Sequence, residues 1–444
     1  MIDYQLLAGI LLGILLLLFL IIRIKLSAFL ALLIASIFVG LFSGLSPAKM
    51  METVQNGMGG ILGFVATVVG LGAIFGAILE HSGGAKAIAN FLVRRLGTER
   101  APLAMVIAGF VMSIPVFFDV AFIIVVPMIY SLQRTTKRSL LVFAIPLLVG
   151  LATTHVFIPP TPGPIAVAEI IGVQLGYVIF IGAMVGIPTA LITGLVYAKR
   201  ITKKEYIAAP DIMIAEEQQH LPSIGLTFSL IGIPILLILL SSFVSTEIIQ
   251  LPTNIANIVL LVGHPFSALI IANLLAWYLL GIKRGFTRAK LLDISTKSFA
   301  PAGTIILLTG AGGVFKQVLV DTGGGEMIAK SLADIGFPLL LFAFLAAALI
   351  RVIQGSATVA MITGAGLVAP LIAGTDLSQM ELACLVISIA SGATIASHVN
   401  DSGFWLISQY LGINERQTFR YWTTTTTVLS VTGLIFVSII YLLI

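Results

Sequence analysis

The sequence predicts an all-α polytopic membrane protein made of two inverted repeats. Each repeat is expected to hold a re-entrant hairpin and a broken helix, giving about 10 full spans plus 2 hairpins. Three observations lead to this prediction: a very apolar composition, basic clusters between apolar blocks, and self-similarity at a separation of about 240 residues along the chain.

The composition excludes a water-soluble fold. Of the 444 residues, 59% are hydrophobic and only 10% are charged, whereas soluble domains carry roughly 25% charged residues. The net charge of +5 does not indicate nucleic-acid binding, because the Lys and Arg residues lie in short clusters that are typical of cytoplasmic loops. The one cysteine, Cys384, excludes a disulfide framework and a multi-cysteine metal site.

Eight apolar blocks have about the 20 residues that are needed to cross a hydrocarbon core. They lie near residues 4–22, 25–45, 58–80, 174–198, 224–246, 256–281, 300–320 and 421–444.

Residues 101–131 form a longer apolar stretch between two basic clusters, 94–100 and 134–138. A single crossing would place one cluster outside, against the positive-inside tendency. The stretch is therefore predicted to turn back at residues 114–119, as a re-entrant hairpin that opens to the cytoplasm.

Residues 139–172 must then cross once, although their centre reads TTHVFIPPTPGP. Proline removes an amide donor and clashes with the carbonyl one turn back, so these prolines interrupt the helix. Irregular backbone at membrane depth is tolerated only where it is buried in protein or lines a wet cavity. We therefore predict a broken helix beside a ligand site.

Residues 70–92 align without a gap to residues 310–332. The nine identical positions in the first copy are Gly70, Gly72, Phe75, Leu79, Gly83, Gly84, Ile88, Ala89 and Leu92. The count of crossings gives the two copies opposite directions. This predicts a second hairpin at 337–373, turning at 354–358, and a second break at 397–405. The predicted units are a first repeat, 1–200, a cytoplasmic linker, 201–222, and a second repeat, 223–444.

Four motifs, GSATVA (355–360), HVND (398–401), PVFFDVAF (115–122) and HVFIPPTPGP (155–164), resemble those of the gluconate permease family. These bacterial proton-coupled sugar-acid symporters are similar to the ion-transporter superfamily. The resemblance spans essentially the whole chain. It implies a multi-pass protein of the bacterial inner membrane, a gluconate-like anion and protons as partners, and a homodimer. Thr161 stands where many members have histidine.

Four side chains are candidates for proton coupling: Asp119, Asp401, His155 and His398. A carboxyl group inside a membrane tends to take up a proton unless it is paired, and histidine titrates near physiological pH. The alternative is structural, with each Asp as a helix cap and each His as a packing residue. We predict no metal, because a third ligand is missing at useful spacing, and no cofactor.

Six further side chains are candidates for substrate binding: Arg351, Ser356, Thr358, Thr154, Thr161 and Asn400. A guanidinium group can hold a carboxylate through two parallel hydrogen bonds. The alternative for Arg351 is an ion pair with Asp119 or Asp401. For each hydroxyl, the alternative is a bond to its own helix backbone.

The function predicted from these features is import of gluconate or a related sugar acid by proton symport, with alternating access at a midplane site. A nucleotide-binding motif is missing, so the chain itself is not expected to use ATP. By resemblance, relatives that carry D-serine lack an arginine at position 351, so Arg351 favours a sugar acid. A carrier of another small carboxylate or of a hydroxy amino acid such as D-serine is the alternative. A membrane-embedded enzyme is the alternative from a different class.

Overall fold

The described part of the chain consists of α-helices joined by short segments, with no strand. This computed structural model describes residues 4–203, 205–210, 221–325, 327–328, 330, 337–373 and 375–444. The helices of the first half are α1 (Tyr4–Ile22), α2 (Ala28–Phe42), α3 (Pro47–His81), α4 (Gly84–Leu96), α5 (Ala101–Met112), α6 (Phe118–Thr136), α7 (Leu141–Phe157), α8 (Pro162–Ile171), α9 (Leu175–Leu191) and α10 (Ala198–Thr202).

The helices of the second half are α11 (Ile224–Ser245), α12 (Thr253–Gly263), α13 (Pro265–Ala276), α14 (Arg288–Lys297), α15 (Phe299–Asp321), α16 (Leu339–Gln354), α17 (Ala357–Val368), α18 (Gln379–Gly392), α19 (Ser402–Leu411), α20 (Glu415–Thr418) and α21 (Thr424–Leu443). Short π-helical turns at residues 192–197 and 419–423 continue α9 into α10 and α20 into α21.

Among the described residues, nine helical stretches are long and apolar enough to cross a membrane, judged by length and composition. The prediction of an all-α polytopic membrane protein is confirmed. The stretch formed by α7 and α8 is the interior one, because its apolar window is 89% buried against 28% to 56% in the other eight. The C-terminal half of α18 is buried as completely. The core therefore lies along these two predicted broken helices.

The first helix break occurs where the sequence predicts it, and the second, predicted at 397–405, begins and ends four residues earlier. Residues 158–161 separate α7 from α8, and residues 393–401 separate α18 from α19. The first break is buried in protein, which is the condition under which irregular backbone is tolerated at membrane depth. Proline at positions 162 and 164 starts α8, where its missing amide hydrogen costs least.

Both predicted turns are also present. Residues 113–117 separate α5 from α6, and Gly355 with Ser356 separates α16 from α17. Pro102 at the start of α5 and Lys137 at the end of α6 line one cavity, so the two ends of this helical hairpin lie at the same end of the molecule.

The predicted span at residues 256–281 is wrong in one respect, because the structure divides it into α12 and α13 at His264. Pro265 has no amide hydrogen, and proline disfavours helical backbone in the residue before it. The His264 imidazole instead caps the new helix by accepting from the Phe266 amide, at 3.3 Å from Nδ1.

The predicted linker lies partly outside the described residues, namely at 204 and 211–220. Residues 201–202 belong to α10. Residues 205–210 run against the first half, where the Leu140 amide donates to the Ile207 carbonyl and the Ile207 amide donates to Ser139 Oγ. This part of the predicted linker is therefore attached to the junction of α6 and α7.

Gly355 forms the tip of the second hairpin in a conformation that only glycine adopts easily. Its φ is +89°, and an added Cβ would lie 2.2 Å from the Asn400 carbonyl oxygen in the second break. The hairpin tip therefore reaches the broken helix by direct backbone contact, which leaves no room for a side chain.

We expect Gly355→Ala to lower the thermal unfolding midpoint of the detergent-solubilised protein more than Gly285→Ala does. Gly285 has φ +88° and open space around it, so it is a matched control that carries only the left-handed backbone cost of about 1–2 kcal/mol. At position 355 the clash with a backbone carbonyl adds to that cost. Equal shifts in the two variants would contradict the close approach.

Candidate functional site

A cavity of about 520 Å³ lies where both hairpin tips meet both helix breaks. We call it the central cavity. Segments 117–120 and 354–358 contribute the tips, and segments 152–156 and 394–403 contribute residues at the breaks.

The structure brings most of the predicted site residues to this cavity. Its lining includes Asp119, His155, Arg351, Ser356, Thr358, Asn400 and Asp401. Thr154, Thr161 and His398 do not line it. The lining also includes Phe118, Trp422 and Thr426, which the sequence did not single out as site residues.

Arg351, in the last turn of α16, is the cation of the central cavity lining. Its side chain is only 5% exposed, and Nη2 lies 2.5 Å from Asp401 Oδ2. Nη1 donates to the Gly355 carbonyl, whereas the buried Nε has no partner in the described part of the chain. The guanidinium is thus fixed by the hairpin tip and the second break, while its Nε donor stays unused by the described residues.

Asp401 is both the cap of a helix and the ion-pair partner of Arg351. Its Oδ1 accepts from the Gly403 amide at 3.1 Å, which caps α19, while Oδ2 accepts from Arg351 and from Ser397 Oγ. The side chain is 15% exposed. The Asp401 carboxylate therefore joins Arg351, Ser397 and the first turn of α19.

Trp422 extends this network beyond the residues found from sequence. Its indole Nε1 donates to Ser397 Oγ at 2.8 Å, and Ser397 Oγ donates to Asp401. The Trp422 ring also lies on Phe118 of the first hairpin, with 6.0 Å between ring centroids. Trp422 therefore connects the first hairpin tip to the ion pair of the second half. An aromatic residue in an apolar run gives no sequence signal for this role.

Asn400 and His398 hold the second hairpin against the second break. Asn400 Nδ2 donates to the carbonyls of Val352 and Ile353, both at 3.1 Å, and His398 Nε2 lies 2.8 Å from the Val352 carbonyl. These contacts satisfy carbonyl groups at the end of α16, which have no partner within the helix. His398 thus has the contact of a packing residue, which was the structural alternative to proton coupling.

Asp119 lies in the first turn of α6 and is exposed to the central cavity. It does not act as the helix cap, since Phe117 occupies that position without a side-chain cap. Among the described residues, Asp119 forms no hydrogen bond or ion pair. A carboxylate in this turn is favoured by the positive end of the helix dipole.

His155 lies at the end of α7, beside Phe118 of the first hairpin. Its ring is 6.4 Å from that of Phe118, and its buried Nδ1 has no hydrogen-bond partner in the described chain. A buried polar atom without a partner is costly. The imidazole is therefore available to a bound molecule or to a water in the cavity.

The hydroxyl candidates divide into two groups. Ser356 Oγ accepts from the Val359 amide at 3.3 Å and caps α17. Thr358 has no side-chain bond to any described residue and lines the cavity. Thr154 instead donates to the Phe110 carbonyl at 2.8 Å, and Thr161 donates to the Ile158 carbonyl at 2.6 Å. Backbone carbonyls thus occupy the Thr154 and Thr161 hydroxyls, although neither carbonyl belongs to the residue's own helix.

We expect Trp422→Phe to weaken the apparent affinity for the transported solute by about 3- to 10-fold. Phenylalanine keeps a ring against Phe118 but removes the donor to Ser397, and one such bond contributes about 1 kcal/mol. The measurement is the concentration dependence of initial uptake rates in proteoliposomes.

Trp277→Phe is the matched control, because the Trp277 indole forms no hydrogen bond with any described residue. It should leave the affinity unchanged. If both variants behave like the unmodified protein, Trp422 does not position Asp401. A fall in protein abundance without a change of affinity would assign Trp422 to packing alone.

The comparisons with known proteins agree with this architecture. The model of the GntP family permease matches residues 5–443. The gluconate permease of Pseudomonas aeruginosa is 40% identical over 403 residues, covering 89% of this chain and 88% of the relative. The inner membrane permease YgbN of Escherichia coli is 39% identical, covering 85% of each chain, and the L-idonate transporter of the same organism is 34% identical, covering 87% and 88%.

Two solved structures share the fold at low sequence identity. The YdaH transporter of Alcanivorax borkumensis superposes with a TM-score of 0.61 at 15% identity, covering 89% of both chains. MtrF of Neisseria gonorrhoeae gives 0.65 at 14% identity, covering 97% of this chain and 94% of its own.

The resemblance to the gluconate permeases and the expectation of a multi-pass protein of the bacterial inner membrane are confirmed. The alternative of a membrane-embedded enzyme is excluded, because the family consists of permeases. With a family match over nearly its whole length, this chain belongs to the GntP family of permeases.

Proposed function

We propose that this permease carries gluconate or a closely related sugar acid together with protons. The observation that carries the proposal is the buried Arg351 guanidinium at the wall of the central cavity, surrounded by neutral hydroxyl and amide groups. Relatives named for gluconate and for L-idonate support this substrate class. Both names describe acids with one carboxylate and a chain of hydroxyl groups.

The dimensions and chemistry of the cavity suit such a molecule. A volume of about 520 Å³ lies within the usual range of small-ligand sites, about 300–1,000 Å³. Thr358 and Ser356 from the second hairpin and Asn400 from the second break offer polar atoms at its wall. The Arg351 guanidinium is the group that can hold a carboxylate in a planar, two-bond arrangement.

The ion pair between Arg351 and Asp401 provides a route to proton coupling. A substrate carboxylate that binds Arg351 must compete with Asp401 for the same guanidinium. When Asp401 gives up this partner, its negative charge is left largely enclosed by protein, which is costly. A proton on Asp401 removes that cost, so substrate and proton favour each other's binding. Such mutual stabilisation is the thermodynamic requirement for symport.

Asp119 and His155 supply a second proton route from the first half. Asp119 is exposed to the cavity and unpaired among the described residues, and the Nδ1 atom of His155 is also unpartnered. Both contact the cavity beside Phe118, which lies on Trp422. Protons arriving at these groups would change the field around the substrate without breaking the Arg351 network.

The arrangement of the hairpins supports alternating access. The two tips approach the cavity from the two halves of the chain, so movement of either hairpin would open one side of the site. Segments from both predicted repeats line the cavity, an arrangement that supports an inverted-repeat transporter. We include in this proposal the inverted topology of 1–200 and 223–444 and a homodimeric assembly.

We expect Arg351→Lys to raise the concentration of labelled gluconate needed for half-maximal uptake by at least about 10-fold. Lysine keeps the charge but cannot form the planar fork, and loss of one charge-assisted bond costs roughly 1.5–3 kcal/mol. Uptake is measured in proteoliposomes with an imposed pH gradient. Competition by unlabelled gluconate, L-idonate and D-serine then ranks the substrate classes.

Arg288→Lys is the matched control, since Arg288 is exposed at the start of α14. It should leave uptake unchanged. An unchanged affinity in Arg351→Lys would restrict Arg351 to a structural role. Stronger competition by D-serine than by gluconate would replace the sugar acid with a hydroxy amino acid as the substrate.

We expect Asp401→Asn to abolish accumulation driven by a pH gradient while exchange of labelled for unlabelled substrate at equal pH persists. Asparagine resembles the protonated carboxyl, so the variant can bind substrate but cannot release a proton. Asp119→Asn, tested in parallel, shows whether the first half carries the proton instead.

Asp293→Asn is the control for both variants, because Asp293 forms an exposed ion pair with Lys297. If both variants still concentrate substrate when only a pH difference is imposed, neither carboxyl couples transport to protons. A sodium gradient that drives the unmodified protein at equal pH would reassign the coupling ion.

A further inference from the structure

A second cavity, of about 550 Å³, lies at the end of the molecule where α5 begins, α6 ends and α10 ends. We call it the basic cavity. Four cationic side chains line it: Lys137, Arg138, Lys199 and Lys203. All four belong to clusters that the sequence places on the cytoplasmic side. The basic cavity therefore lies at the level of the cytoplasmic lipid headgroups.

The positive charge of the basic cavity is largely uncompensated by described residues. Lys137, Lys199 and Lys203 are exposed and form no ion pair within the described part of the chain. Arg138 stacks over the Phe143 ring at 5.6 Å, which holds its guanidinium in place. Two carboxylates, Glu99 and Glu205, also line the cavity, and neither forms an ion pair with the three lysines.

Glu205 is occupied elsewhere. Its carboxylate accepts from Tyr421 at 2.7 Å and from Gln417 at 2.6 Å. These hydrogen bonds hold the pKa of the Glu205 carboxyl below its usual value. The nearest described cation is Arg420, at 3.9 Å, and it lies outside the basic cavity lining. The lysines therefore remain available to an external anion.

The inner wall of the basic cavity is apolar. Pro102, Val142, Pro146 and Leu195 contribute to it, and none of them offers a side-chain hydrogen bond. A free phosphate or a soluble phosphorylated metabolite would leave this wall unused. A ligand with both a phosphate and hydrocarbon chains would cover both surfaces.

An exposed apolar stripe on α9 leads to the basic cavity. Met184, Ile187 and Leu191 are 46%, 50% and 36% exposed, and their spacing places them on one face of the helix. In the π-helical turn that follows, Val196 is 57% exposed, so exposed apolar side chains extend along the chain towards Lys199 and Lys203. In a multi-pass membrane protein, such a face is turned to lipid chains or to a neighbouring protein surface.

We propose that the basic cavity binds an anionic glycerophospholipid. The phosphate lies among Lys137, Lys199 and Lys203, and the acyl chains follow the apolar stripe of α9. Basic pockets between spanning helices on the cytoplasmic side bind acidic lipid headgroups through the same combination of charge and shape. The lipid would connect the first hairpin, at Lys137, to the end of α10. This site is separate from the central cavity and independent of the transported solute.

The test compares lipid binding by the purified full-length protein and by the variant K137Q/K199Q/K203Q. Native mass spectrometry in detergent measures retention of phosphatidylglycerol during titration. We expect the triple variant to bind it at least about 10-fold more weakly, because each basic residue near an anionic lipid surface contributes about a five-fold factor. The unmodified protein should also gain thermal stability from phosphatidylglycerol and none from phosphatidylcholine.

The control variant K283Q/R288Q/K290Q removes three exposed cations outside the basic cavity and should bind phosphatidylglycerol like the unmodified protein. Equal loss of binding in both variants would show that only the net charge of the protein matters, which would contradict a specific lipid site. Glycerol 3-phosphate supplies the headgroup without the chains. If it stabilises the protein as well as the lipid does, the ligand is a soluble phosphate and the lipid assignment fails. Unchanged binding in K137Q/K199Q/K203Q overturns the proposal.

Discussion

The structure depends on satisfying backbone polar groups without bulk water at two helix breaks and two hairpin turns. Each unpaired amide or carbonyl group in an apolar interior costs several kcal/mol. The second break meets this requirement with side chains: Asn400 and His398 take the carbonyls at the end of α16, and Asp401 caps α19. The first break relies on burial and on prolines, which remove amide donors. The groups that keep the fold together are thus close to those proposed to bind substrate.

Because the stabilising groups and the proposed substrate-binding groups lie together, Arg351 and Asp401 can serve both the fold and the proposed function. The guanidinium donates to the hairpin carbonyl of Gly355 and to the carboxylate of the break, so it joins two elements that alternating access would separate. A buried ion pair adds little net stability, yet breaking it is costly. An exchange of Asp401 for a substrate carboxylate avoids that cost. The site can therefore change partners while the charge on the arginine stays compensated.

Trp422 gives the two halves a physical connection. Its ring lies on Phe118 and its indole N–H holds Ser397, which in turn holds Asp401. Movement of the first hairpin would thus displace Trp422 and, through Ser397, change the position of Asp401 in the ion pair of the second half. At the end of the molecule that holds the basic cavity, the segment 205–210 joins α6 and α7 to α20 and the adjoining helical turn through Ser139, Glu205 and Gln417. The basic cavity lies beside this junction. A bound lipid would therefore contact the first hairpin at its open end, opposite the tip that reaches the central cavity.

The sequence by itself determined the class of the fold, the position of the first break, the approximate position of the second, and the family. These follow from local rules, because apolar length, charge clusters and proline chemistry act within about 20 residues. The similarity of residues 70–92 to residues 310–332 indicates that the same local pattern occurs in both halves of the chain. It also found Asp119, Arg351 and Asp401, because charged groups are conspicuous in apolar runs.

Only the tertiary structure decided which side chains meet. Thr154 and Thr161 look like Thr358 in sequence, yet nearby backbone carbonyls engage the first two and leave the third facing the cavity. Trp422 and Phe118 are about 300 residues apart, and nothing in either local pattern indicates their contact. The choice of Asp401 over Asp119 as the partner of Arg351 has the same origin, since it depends on how the second break folds against the second hairpin. Hydrogen-bond partners are set by distances of about 3 Å, which only the packing of distant helices determines.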